Sequence, residues 1–163
     1  MMEFNADEVL AMAEQMERNG SKFYRRAAQL AKPDEHGKML LELAAMEDAH
    51  EATFTAMRSR ISALPQRPGV FDPDNLAEQY LTAWADRSVF PTDEDPFSIL
   101  TSNETMEDIL TAAIGREKDS IVFYEGLKRA LEGDADRKSI DAIILEELSH
   151  IALLSHYRSA LRS

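Results

Sequence analysis

The sequence predicts an all-α, antiparallel four-helix bundle made of two helix-pair repeats, joined by a long crossover that contains a short extra helix. Three observations predict it. Apolar and small residues recur at alternating steps of three and four through four long stretches, the pattern of helices with one narrow buried stripe. Short Pro- or Gly-marked links join the first and second stretches and the third and fourth, whereas roughly 40 residues separate the two pairs, too many for a tight turn. The pairs also repeat at a fixed offset: Glu17, Glu47 and His50 return as Glu117, Glu147 and His150, and 117−17, 147−47 and 150−50 each give 100.

The offset extends past those six residues. AMAEQMERNGSKFY aligns with TAAIGREKDSIVFY, so Phe23 and Tyr24 match Phe123 and Tyr124, and AAMEDAHEATF and IILEELSHIAL share Glu-x-x-His at the same offset. One Glu-x-x-His means little in a chain with 30 acidic residues. Two copies, each preceded by an aligned Glu about 30 residues upstream, form a pattern that chance does not readily supply.

In the first helix, Asn5 followed by Glu8 reads as a cap, and the stripe runs Leu10, Ala13, Glu17, Gly20, Tyr24, Ala27 and Ala31, ending before Pro33. Asp34 can cap the second, whose stripe is Leu40, Leu43, Glu47, His50, Phe54 and Met57, fading at Arg60 to Ala63. In the connection, Asp72-Pro73 resembles a cap and first helical residue. The extra helix LAEQYLTAWADR carries Tyr80 and Trp84, and Trp84 or Phe97 is expected to cover one side of the bundle. Thr101 to Glu104 offers a capping box for the third helix, with stripe Met106, Leu110, Ala113, Glu117, Ser120, Tyr124, Leu127 and Leu131. Gly133-Asp134 stops that helix and caps the fourth, which continues Ile140, Ile143, Glu147, His150, Leu154, Tyr157 and Leu161.

A length of 163 residues and an apolar fraction of 44% suit one domain with a sizeable core. We read residues 1–163 as that domain, with repeat 1 at about 5–60, the crossover at 61–102 and repeat 2 at about 103–160. The absence of cysteine excludes disulfides, iron–sulfur clusters, Cys-ligated zinc and a thiol nucleophile, and leaves His and carboxylate as the strong metal ligands. With no basic-then-apolar leader and no apolar run near ~18 residues, a cytoplasmic protein with no membrane partner is expected. The net charge of −12, without a basic face, argues against a nucleic-acid partner.

Residues three and four apart on a helix, at roughly 100° each, project within about 60° of one another, so each Glu-x-x-His pair addresses one point on the bundle axis. A Glu in an acidic chain is ordinarily a solvated helix-face charge. Glu17, Glu47, Glu117 and Glu147 instead share the stripe with Leu43, Phe54 and Leu110, where an unpaired carboxylate costs several kcal/mol. No Lys or Arg falls on an inner position to neutralise them. Two divalent cations would balance four carboxylates, and the neutral imidazoles of His50 and His150 would complete the ligand set. Carboxylate-rich ligation with one His per metal favours two Fe ions, with Mn second and Zn possible on purification.

Tyr24 and Tyr124, two turns beyond their glutamates, are candidates to hydrogen-bond the ligand carboxylates, or core tyrosines bonded elsewhere. Gly20 and Ser120 are small either to leave room for water or dioxygen or to let helices approach closely. His36 and His156 read as surface residues, and the Met residues as core filler.

At these residues the chain resembles the ferritin-like di-iron carboxylate superfamily, whose signature is one Glu from each of two helices and Glu-x-x-His from each of the other two. ERNGSKFY and EKDSIVFY, with EDAH and EELSH, are most similar to the rubrerythrin branch. The resemblance implies a ferritin-like bundle, metal ligation by Glu17, Glu47, His50, Glu117, Glu147 and His150, and bridging by Glu47 with Glu117 or Glu147. The chain departs from that branch in lacking a four-cysteine rubredoxin module and in having Ser120 where an additional carboxylate usually stands.

The resulting expectation is a di-iron oxidoreductase that reduces hydrogen peroxide or dioxygen and draws electrons from an external donor. A ferroxidase or iron-handling protein without peroxidase turnover is the first alternative, and a metal-stabilised interaction module the second. A homodimer is expected for a helical bundle of this size.

Overall fold

Helices α1 (Ala6–Leu30), α2 (Glu35–Ser62), α3 (Met106–Ala130) and α4 (Asp134–Leu161) follow one another along the chain. They come from a computed structural model that describes residues 6–31, 35–62, 79, 100–101, 103–131 and 133–163. The expected caps at Asn5 and Asp34, the extra helix with Tyr80 and Trp84 apart from Gln79, and Phe97 lie outside the described residues.

The capping box of α3 sits four residues later than the sequence suggests. Thr105 accepts from the Asp108 backbone N–H, and the Asp108 carboxylate accepts from the Thr105 backbone N–H at 2.9 Å. Thr101 does meet Glu104 as the spacing foretold, at 2.7 Å through its N–H. The reciprocal pair at 105 and 108 nevertheless starts the helix, because it satisfies two backbone donors at the helix entry. Gly133 is the cap of α4, so Asp134 is its first helical residue, not its cap, and places negative charge on the helix N-terminus.

Side-chain pairs between the helices set their directions. Along α1, Asp7, Arg18 and Arg25 meet Arg58, Glu51 and Asp48, so partner numbers fall as α1 numbers rise and the two helices run antiparallel. The same holds for α3 and α4, where Glu107 meets Arg162 and Lys128 meets Asp141. Across the hairpins, Tyr24 meets Glu117 and Tyr124 meets Glu17, making α1 and α3 antiparallel. Tyr157 meets Glu35 and Arg60 meets Asp136, making α2 and α4 antiparallel. It follows that α2 and α3 point the same way. The end of α2 and the start of α3 therefore lie at opposite ends of the bundle, ~40 Å apart for a 28-residue helix.

The apolar core falls into two clusters. One contains Val9, Leu10 and Ala13 of α1 with Phe54, Phe123, Tyr124, Leu127, Ile140 and Ile143. The other contains Phe23, Tyr24, Ala27, Leu40, Leu43, Ile109, Leu110, Ala113 and Leu154. Most residues of one have their counterpart, 100 positions away, in the other: Leu10 with Leu110, Phe23 with Phe123, Leu40 with Ile140, Phe54 with Leu154. The repeats are thus related by a pseudo-twofold axis that exchanges the clusters. Each fully buried Phe or Leu contributes about 2–3 kcal/mol of transfer free energy, and the level between the clusters holds the polar residues. Among the described residues no helix is long and apolar enough to cross a membrane.

Candidate metal centre

The stripes place six ligand-type side chains at that middle level. Glu17 follows buried Ala13 and precedes buried Gly20 on α1, and Glu117 takes the same place on α3. Glu47 and His50 lie between Leu43 and Phe54 on α2, and Glu147 and His150 between Ile143 and Leu154 on α4. All six are at most 5% exposed. No Lys or Arg is buried with them among the described residues.

The distances show one continuous cage. His50 Nδ1 lies 3.1 Å from Glu147 Oε1 and 3.5 Å from Glu17 Oε2. His150 Nδ1 lies 2.9 Å from Glu147 Oε2, 3.7 Å from Glu117 Oε1 and 3.9 Å from Glu47 Oε1. The imidazoles stack with ring centres 5.9 Å apart and planes 22° apart. Glu147 turns one oxygen toward each histidine.

Ligand atoms close enough to surround one ion fall into two groups, each within 4.8 Å: Glu17, Glu47, His50 and Glu147, and Glu47, Glu117, Glu147 and His150. Glu47 and Glu147 belong to both, whereas Glu17 and Glu117 each belong to one. Glu117, an alternative bridge by resemblance, therefore faces a single position. Glu17 Oε2, Glu47 Oε1, His50 Nδ1 and Glu147 Oε1 are buried without a hydrogen-bond partner of good geometry. Buried polar atoms are rarely left so. Their convergence, with an all-oxygen-and-imidazole donor set, fits two hard or borderline divalent cations.

The protonation pattern points the same way. Burial raises Glu17 most, His50 opposes and Glu147 adds, leaving it at about 7. Glu117 stands at about 8, raised by burial against the pull of His150. Glu47 is pushed well above the carboxylate range by burial and by Glu17, Glu117 and Glu147. Glu147 moves the other way: burial alone would raise it, but hydrogen bonds from both imidazoles hold it well below its ordinary value. Burial would lower the histidines, but Glu147 and Glu17 lift His50 to about 11, and Glu117 and Glu147 lift His150 to about 9. Protons supply the positive charge that cations would supply.

The tyrosines hold this layer across the pseudo-twofold axis. Tyr24 donates to Glu117 Oε1 and Tyr124 to Glu17 Oε1, each to the carboxylate of the opposite repeat. The buried phenol of Tyr24 is held protonated, well above its ordinary value, by burial and the charge of Glu117. Two turns of spacing placed each tyrosine on the correct face, but the sequence carried no signal of the exchange between repeats.

Gly20 leaves room, though not for a small molecule: a methyl group there would collide with Glu47 Oε2 and come within 3.1 Å of its Cδ. Ser120, its counterpart, is half-buried. Three residues escaped the sequence reading. Glu14 is buried and reaches Arg58 at 3.3 Å. Glu146 Oε2 lies 2.9 Å from His50 Nε2, and Met46 Sδ lies 3.1 Å from His150 Nε2, so Met46, 45% exposed, is not core filler. His36 and His156 lie outside the cage, each against the ring of Tyr157.

One solved structure shares this architecture across nearly the whole chain. It is a Thermotoga maritima protein provisionally assigned as a ferritin-like diiron-carboxylate protein, 23% identical, with a TM-score of 0.69 over 98% of this chain and 97% of that one. The fold is ferritin-like. At that identity the likeness speaks for the fold alone. No family model matches the sequence, and no curated protein matches it.

Proposed function

We propose that this ferritin-like chain is a di-iron carboxylate protein that reduces hydrogen peroxide or dioxygen with electrons from an external donor. The observation that carries the reading is the pair of four-residue groups sharing Glu47 and Glu147, with unpartnered atoms turned inward. Two bound iron ions would supply the one-electron couples that this chemistry needs. Manganese is the alternative ion, and zinc would fill the same donor set without redox activity.

The chain's own residues do the rest. Glu47 and Glu147 would serve both positions and Glu17 and Glu117 one each, so that four carboxylates would balance two dications. Tyr24 and Tyr124 fix the carboxylates of the opposite repeat, each by a hydrogen bond to one oxygen, and Glu17 keeps its other oxygen, Oε2, turned inward. The flanking apolar clusters keep bulk water from both ends of the layer. Loading must displace the protons held by Glu17, Glu117 and the imidazoles, so binding releases acid and strengthens as pH rises through about 7 to 8.

Ser120 favours one further version, a ferroxidase that oxidises iron and passes it on: no carboxylate stands there to serve a peroxide-reducing cycle. Rapid mixing of the iron-loaded protein with each oxidant, followed optically, separates the two. Faster oxidation by peroxide, with repeated turnover on adding a reductant, supports the peroxidase. Oxidation by dioxygen with loss of iron supports the ferroxidase, and no acceleration over buffer removes both.

A further inference from the structure

The pseudo-twofold axis makes positions 46 and 146 equivalent, yet their chemistry differs. Behind His50, on the face away from the cage, Glu146 Oε2 stands 2.9 Å from Nε2. Behind His150 the corresponding partner is Met46 Sδ, 3.1 Å from Nε2. A carboxylate accepts the Nε2–H strongly, fixes the tautomer with the Nδ1 lone pair turned inward, and makes the imidazole a better donor. A thioether is a weak acceptor and does little of this.

A second observation separates the same two positions. On the His50 side, Nδ1, Glu17 Oε2 and Glu147 Oε1 are buried without a hydrogen bond of good geometry, and Nδ1 lies 3.1 Å from Glu147 Oε1 and 3.5 Å from Glu17 Oε2. On the other side His150 Nδ1 is bonded to Glu147 Oε2 at 2.9 Å, and the atom there without a hydrogen bond is Glu47 Oε1, 3.9 Å from Nδ1, while none of Glu117 or His150 is so placed. An ion entering beside His50 displaces the longer 3.1 Å contact of Nδ1 with Glu147 Oε1, whereas one entering beside His150 must separate the 2.9 Å pair.

We propose, resting on the two-ion reading above, that the metal positions are inequivalent: the position of Glu17 and His50 fills first, and Glu146 is the positioning residue that sets the order. The two repeats thus share a ligand set but not an affinity. Glu146 touches no ion and acts through His50. Its side chain is 57% exposed, so replacing it should leave the core and the fold intact.

The test is an anaerobic titration of the metal-free protein with Co(II), read by calorimetry and by visible absorption. The parent should bind two ions in two steps at least ~10-fold apart in affinity, the scale on which outer-sphere partners act on metal binding. Glu146→Met makes the two histidine environments alike and should merge the steps by weakening the first. Met46→Glu should merge them by tightening the second, a gain that a merely structural role for position 46 would not produce. Glu146→Asp should restore part of the separation. Two indistinguishable ions in the parent, or an unchanged ratio in Glu146→Met, would overturn the inference while leaving the two-ion cage standing. Binding of no ion, or of one alone, would overturn both.

Discussion

Inside the cage the two repeats are near copies; outside it they are not. Glu17 and Glu117, Glu47 and Glu147, His50 and His150, and Tyr24 and Tyr124 occupy matching places and exchange hydrogen bonds across one axis. One layer further out, Gly20 corresponds to Ser120, Met46 to Glu146 and Glu14 to Ile114. Duplication supplies a symmetric donor set, whereas the surroundings decide how each half behaves. The shared pair, Glu47 and Glu147, is where the halves cease to be separable.

Removing a shared residue should therefore do more than removing a terminal one. Glu47→Ala should abolish binding of both ions and with it the stabilisation that binding confers, about 4 kcal/mol per ion at a free ion concentration 1,000-fold above Kd. Thermal unfolding with and without Co(II) reads this directly. The metal-free variant should be no less stable than the metal-free parent, because it loses one of four crowded carboxyls. Glu17→Ala and Glu117→Ala should each cost one ion. Equal losses in all three variants would mean that the groups are not shared.

The hydrogen bonds that cross between repeats give the next largest contrast. Tyr24→Phe removes the donor to Glu117 and should weaken the His150 position, and Tyr124→Phe should weaken the His50 position, each by ~10- to 100-fold in the titration. If each variant affected the position of its own repeat, the exchange would be wrong.

A subtler asymmetry lies at Gly20. Gly20→Ala should leave the helix intact, since Ala is favoured over Gly by about 1 kcal/mol in a helix interior. It must turn the Glu47 carboxylate aside, because the new methyl takes the place of Glu47 Oε2. Metal affinity should fall while metal-free stability holds or rises. Ser120→Ala, on the half-buried counterpart, should change neither by more than a small amount.

The smallest expected effect is in pH dependence. Glu17 and Glu117 are raised from 4.5 to about 7 and about 8, and His50 and His150 from 6.5 to about 11 and about 9. In every case the folded state binds more protons than the unfolded state between the two values, so stability falls as pH rises through them. Glu147, depressed, contributes stability present above its unfolded value of 4.5 and lost as pH falls further. The metal-free protein should therefore unfold at a progressively lower temperature from pH 5 to pH 9. The metal-loaded protein, whose ligands have already given up these protons, should not follow that trend.

Much of this was legible in the sequence, for a definite reason. A period of three and four identifies which face of a helix is buried, and the 100-residue offset shows that Glu17, Glu47 and His50 recur together, so the bundle, the six cage residues and the right face for both tyrosines could be read directly. What lies between helices could not be read. Which repeat a tyrosine reaches depends on how the hairpins face each other, and periodicity within one helix does not encode that. Glu146 looked like one more solvated acid among 30, and Met46 like core filler, because both act on a histidine of another helix. Gly20 suggested empty space because a missing side chain does not reveal who fills the room. The start of α3 was misplaced because two Thr-x-x-acid pairs, at 101 and 105, compete and only the second is reciprocal.

The central claim is a buried cage for two ions that share Glu47 and Glu147, and crystals of the protein grown with iron test it most directly. Anomalous scattering at the iron edge should show two peaks per chain at the middle level of the bundle, one beside His50 and Glu17, the other beside His150 and Glu117, with both shared carboxylates between them. No peak at that level, or iron bound only at acidic residues on the surface, would contradict it.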